Sequence, residues 1–108
     1  MWGICLDSKA WEDGLFQAVV QYKIDNSKAL VMSPKANYEL DIKKIRELPA
    51  PPRFVYGEQV SPCNHPDMTG VIIGIRWHFK RNCCFYIISV NGKKKSKRYF
   101  DDDLISTT

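Results

Sequence analysis

The dipeptide Asn91-Gly92 constrains this chain more than any other feature, because it stands between two runs that read as strands. A two-residue hairpin loop needs positive φ at both central positions, which Asn followed by Gly tolerates better than almost any other pair. Residues 83–90 and 93–100 are therefore predicted to be the arms of a β-hairpin, with Val90 opposite Lys93. That register places Cys83, Phe85, Ile87 and Ser89 on one face with Lys94, Ser96, Arg98 and Phe100. The other face carries Cys84, Tyr86, Ile88 and Val90 with Lys93, Lys95, Lys97 and Tyr99. Three lysines cannot be buried unpaired without a large desolvation cost, so the second face is expected to look into solvent, its rings covered by lysine stems. An exposed basic strand also has a plain structural use, since it discourages edge-to-edge pairing with another chain.

Gly70 to Trp77 precedes this hairpin as a further predicted strand, with Val71, Ile73, Ile75 and Trp77 on one face and Ile72 and Arg76 on the other. Before it come a short turn-and-strand, Gly57-Glu58-Gln59-Val60, and a loop from Ser61 to Thr69. Asp101-Asp102-Asp103 after it reads as a turn cap and a counter-charge to the basic arm. Leu48-Pro49-Ala50-Pro51-Pro52 divides the chain, because successive prolines cannot donate to a ladder and favour an extended connector. In residues 1–52, Leu15 to Ile24 alternates Phe16, Ala18, Val20, Tyr22 and Ile24 on one side. A turn at residues 25–28, a strand from Ala29 to Ser33, a turn from Pro34 to Asn37 and a strand from Tyr38 to Ile42 follow. Ile42 to Leu48 is too short for a stable helix and is assigned a single 3₁₀ or α turn.

Closely spaced short strands point to an all-β sandwich or barrel. At 108 residues, 44% hydrophobic and 26% charged, the chain suits one domain or two very small ones. The net charge of +4 is unevenly placed: residues 1–52 hold seven cations and seven acids, residues 53–108 nine and five. The excess in the second half permits contact with an anionic partner. No run reaches the roughly 18 apolar residues of a membrane span, and the first residues form no leader, so the expected compartment is the cytoplasm. Cys5, Cys63, Cys83 and Cys84 show no disulfide framework spacing and are expected to be reduced.

Two resemblances enter here. Gly57-Glu58-Gln59-Val60 and Gly70-Val71-Ile72 resemble the strand openings of SH3-like and KOW-type barrels. The combination of Met1-Trp2-Gly3-Ile4, the proline-rich midpoint, Trp77-His78-Phe79-Lys80 and the run from Asn91 to Phe100 resembles a family of small uncharacterised bacterial proteins with a domain of unknown function. The match is close after Phe54 and looser before it. The resemblance implies SH3-like domains in tandem and no settled activity. The expected fold is all-β, with an SH3-like small barrel in residues 53–108 and a smaller antiparallel β half in residues 1–52. A second barrel in tandem is the alternative, although the first half shows three clear strands and no convincing internal repeat.

The chemistry argues against an enzyme. No Gly-x-Ser-x-Gly elbow, phosphate loop or dinucleotide fingerprint occurs. Cys63-Asn64-His65 could contribute to a metal site with Cys83 or Cys84, but the spacing matches no zinc ribbon; no metal and no cofactor are expected. The expected function is a non-enzymatic binding module for a protein partner, with low-specificity nucleic-acid binding through the same surface as the alternative. Lys93, Lys95 and Lys97 would attract the partner, and Trp77, Tyr86 and Tyr99 would supply contact area. His78, Lys80 and Arg81 would form the adjoining rim.

Overall fold

Residues 1–11, 16–33 and 37–107 are described by the computed structural model, in which the strands form two antiparallel five-stranded sheets and the described residues contain no α-helix. One sheet belongs to the unit Met1–Pro51 and the other to the unit Pro52–Thr108.

The N-terminal sheet comprises β1 (Trp2–Cys5), β2 (Val19–Asp25), β3 (Lys28–Met32), β4 (Asn37–Asp41) and β5 (Ile45–Glu47), in the order β4-β3-β2-β1-β5. Period-two alternation sends Val20 and Tyr22 of β2, Ala29 and Val31 of β3 and Leu40 of β4 into one core with Cys5 and Ala18. Ile24, expected on the same side, lies at the hairpin end and is exposed. After β4 a 3₁₀ turn at Ile42–Lys44 starts where the Asp41 carboxylate accepts the Lys43 N–H at 3.0 Å. β5 then returns antiparallel to β1, with Gly3 opposite Glu47. Gly3 is wedged here: a Cβ would lie 2.9 Å from the Arg46 carbonyl oxygen and 2.7 Å from an Ile45 methyl.

This unit, the shorter of the two as expected, has five strands where the sequence suggests three, as many as the other sheet. β1 and β5 escape periodicity because one has four residues with a glycine inside and the other has three, two of them charged. The expected position of Leu15 and most of the expected turn from Pro34 to Asn37 lie outside the described residues.

The C-terminal sheet comprises β6 (Gln59–Pro62), β7 (Gly70–His78), β8 (Cys83–Val90), β9 (Lys93–Lys94) and β10 (Leu104–Ser106), in the order β10-β6-β7-β8-β9. Counted within each unit, the two sheets have the same strand order, and in both a 3₁₀ turn leads into a last strand that pairs with the first. The second of these turns, Asp101–Asp103, is closed reciprocally: the Asp103 carboxylate accepts the Phe100 N–H at 2.8 Å and the Phe100 carbonyl accepts the Asp103 N–H at 2.9 Å. The sequence ends its strands before Leu104 and so misses β10.

β7 departs from the expected alternation. Ile72 pairs with Ile88 and Gly74 with Ile87, which leaves Ile73 as the extra residue of a β-bulge. The bulge flips the inward parity, so Ile72 and Ile75 are both buried while Ile73 is 44% exposed.

Candidate binding surface on the C-terminal sheet

Asn91 and Gly92 adopt φ of 53° and 78°, the doubly positive geometry that a tight hairpin loop demands. Val90 pairs with Lys93 and Ser89 with Lys94, in the register read from the sequence. The ladder then lapses. After the Lys95 N–H donates to the Ile88 carbonyl at 2.9 Å, residues 96–98 all lie opposite Ile87, and pairing resumes only as a bridge between Tyr86 and Tyr99.

This departure corrects the assignment of faces. Tyr86 is 0% exposed, Ile88 is equally buried and Tyr99 is 6% exposed, so the face expected to look into solvent is the core face. The desolvation argument against burying lysines holds, but the chain meets it by leaving the ladder. Lys93 sits exposed at the hairpin tip, Lys95 is half-buried, and Lys97 is carried out with the extra residues, its ammonium 5.2 Å from the Tyr99 ring centre. Two extra residues preserve parity, which is why Tyr99 returns inward beside Tyr86. Neither tyrosine is available as contact area. Trp77, half-buried, follows Ile75 on this inner side, and its indole N–H is buried without a hydrogen-bond acceptor among the described residues.

The Tyr86 hydroxyl anchors a polar network. It accepts the Arg53 N–H at 3.1 Å and donates to the Asp101 carboxylate at 2.7 Å, while the Arg53 guanidinium donates to the Asp101 carbonyl at 2.8 Å. Burial, reinforced by Asp101, raises the Tyr86 pKa above the ordinary tyrosine range. Burial also pushes the Cys84 thiol up to about 12, with Asp101 and Cys83 adding to it. The three aspartates thus have structural uses: Asp101 holds Tyr86, Asp103 caps Phe100, and Asp102 lies 3.9 Å from Arg53.

The opposite face holds the cluster that reads as a site. Arg76 and His78 of β7 stand across from Phe85 and Cys83 of β8. His78, Phe85 and Phe100 form a triangle of rings with centres 5.7 to 6.3 Å apart. Two guanidiniums lie over it, Arg81 at 4.0 Å from the Phe100 centre and Arg98 at 5.0 Å from that of Phe85. Arg81 comes from the β7–β8 turn, which Asn82 closes with φ of 52° and in which the Arg81 N–H donates to His78 Nδ1 at 3.1 Å. Among the described residues neither guanidinium has a carboxylate within ion-pair distance. Phe79 and Lys80 of the same turn are exposed.

Of the residues singled out by sequence, the structure brings His78 and Arg81 together at this cluster and places Lys80 in the same turn. Phe85, Arg98 and Phe100 were not among them. The predicted register already set Phe85 opposite Arg98 on one face, and that arginine was the available signal, since a face carrying Lys94 and Arg98 is as poor a core candidate as one carrying lysines. Cys63 is exposed and donates its thiol to the Asp102 carbonyl at 3.4 Å, while Cys83 and Cys84 point to opposite faces. Among the described residues no group of three or more His, Cys, Asp or Glu is placed to hold a metal ion. No helix among them is long and apolar enough to cross a membrane.

Searches of curated proteins and of solved structures each gave no match. A family model, that of DUF6960, a family of unknown function, matches residues 18–105, and so reaches from the core of the first unit to the last strand of the second. The chain belongs to the DUF6960 family.

Proposed function

We propose that the protein is a small non-enzymatic binding module built of two SH3-like barrels, which engages a protein partner through the outward, basic and aromatic face of its C-terminal sheet. The fold part of this reading is supported by the shared strand order and by the 3₁₀ turn that leads each last strand back to the first. The functional part is carried by one observation: two guanidiniums lie over a ring triangle on an outer face with no carboxylate partner among the described residues.

The N-terminal sheet serves as an internal comparison. Its corresponding row pairs Lys23 with Leu30 and Leu30 with Glu39, ordinary solvated alternation with both charge signs present. The common topology therefore does not require rings capped by arginines, and the cluster is an addition to what the fold needs. Arginine beside aromatic rings is the composition of interface anchors. Lys93, Lys95 and Lys97 contribute long-range attraction from the hairpin tip and the irregular segment rather than a contact row. A nucleic-acid ligand is the second reading, favoured by Phe79, 47% exposed beside Lys80 and Arg81, which could stack on a base.

A photo-crosslinking residue placed at Lys97 or at Lys43 tests the assignment in cells. Adducts with one protein from position 97 and none from position 43 support it. Adducts from position 43 alone refute it.

A further inference from the structure

We infer that the ligand of this outer face is an acidic peptide segment, its carboxylates held by Arg81 and Arg98, an inference that rests on the binding-surface reading above. A guanidinium seated over a ring is restrained by that contact, while its planar fork of N–H donors has no carboxylate partner among the described residues. Such a fork matches the two oxygens of a carboxylate. The cluster offers two forks, from Arg81 over Phe100 and Arg98 over Phe85. The turn that carries Arg81 is further held by the Arg81 N–H bond to His78 Nδ1, so less backbone freedom remains to be lost on binding.

The same geometry disfavours a nucleic acid. The Phe85 and Phe100 faces that a base would need are already covered by guanidiniums, and Phe85 is 6% exposed. Exposed Phe79 at the same turn provides an apolar contact for a segment that mixes acidic with large apolar residues.

The test is fluorescence anisotropy of the intact protein with labelled polyglutamate, polyglutamine of the same length, and single-stranded oligothymidylate. Polyglutamate should bind, and polyglutamine should not. The double variant Arg81→Lys/Arg98→Lys keeps both charges and loses both forks. It should weaken polyglutamate binding roughly tenfold or more while keeping the wild-type circular dichroism. Unchanged affinity in that variant overturns the inference, as does tighter binding of oligothymidylate than of polyglutamate; the outer face then remains the binding surface only if Arg81→Gln/Arg98→Gln weakens the oligonucleotide. If neither anionic probe binds, the peptide inference falls. The surface reading falls with it only when the crosslinker at Lys97 is also silent.

Discussion

Removing one oxygen, by Tyr86→Phe, tests whether the polar network around Arg53 and Asp101 holds the C-terminal unit together. Tyr86 is 0% exposed, and its hydroxyl both accepts from the Arg53 amide at 3.1 Å and donates to the Asp101 carboxylate at 2.7 Å. A hydrogen bond to a charged group contributes about 1.5–3 kcal/mol, and the low end applies because Asp101 is half-exposed and can take water instead. The neutral bond from the Arg53 amide adds about 1 kcal/mol. The substitution should therefore cost about 2–3 kcal/mol, a large share of the roughly 5–15 kcal/mol that holds a typical domain together. A urea titration read from the backbone amide resonances of β7 and β8 follows the C-terminal unit by itself. Tyr22→Phe, followed in the same titration through the β2 and β3 amides of the N-terminal unit, is the control, because Tyr22 is buried yet its hydroxyl makes no hydrogen bond among the described residues, so its loss should stay within about 0.5 kcal/mol. A loss below about 0.5 kcal/mol for Tyr86→Phe would refute the network's contribution.

Alkaline pH should destabilise the C-terminal unit. Burial holds Cys84 and Tyr56 up to about 12, above ordinary values of 9.0 and 10.0, and raises Tyr86 as well. Between those limits the unfolded chain has released protons that the folded chain keeps, so the stability present below pH 9.0 is lost as pH rises toward about 12. A urea midpoint that stays flat across this window would contradict the burial of these groups. In the N-terminal unit, Gly3→Ala places a methyl 2.9 Å from the Arg46 carbonyl oxygen, an atom that cannot yield without moving β5. The expected cost is about 1–3 kcal/mol, and an unshifted thermal midpoint would show that β5 does not pack against β1 as described.

The parts of the fold legible in the sequence are those governed by local chemistry. Asn91-Gly92 sets its own hairpin and the pairing of Val90 with Lys93, and the alternation from Val20 to Tyr22 identifies a core face. The parts that were not legible depend on partners distant in the chain. β1 and β5 are too short to show a period, and each is a strand because the other, or β2, supplies its hydrogen bonds. The shared topology of the two units is likewise invisible, since it resides in pairing order while the residues filling it differ. Two irregularities governed the outcome for the site. The bulge at Ile73 reverses which side of β7 is inner, and the extra residues at 96–98 let lysines escape from a face that Tyr86, Ile88 and Tyr99 fill. Neither irregularity leaves a mark that alternation can detect. Alternation alone therefore assigns the arginine-capped rings to the interior and the buried tyrosines to the surface.

The most direct test of the account sets Arg81→Gln/Arg98→Gln against Lys93→Gln/Lys95→Gln/Lys97→Gln in the same binding assay, with either the crosslinked partner or polyglutamate as ligand. The double variant removes fewer charges yet should lose more affinity and dissociate faster. The triple variant should mainly slow association and flatten the salt dependence. If the lysine variant loses more affinity than the arginine variant, the outward guanidinium and ring cluster is not where the partner binds.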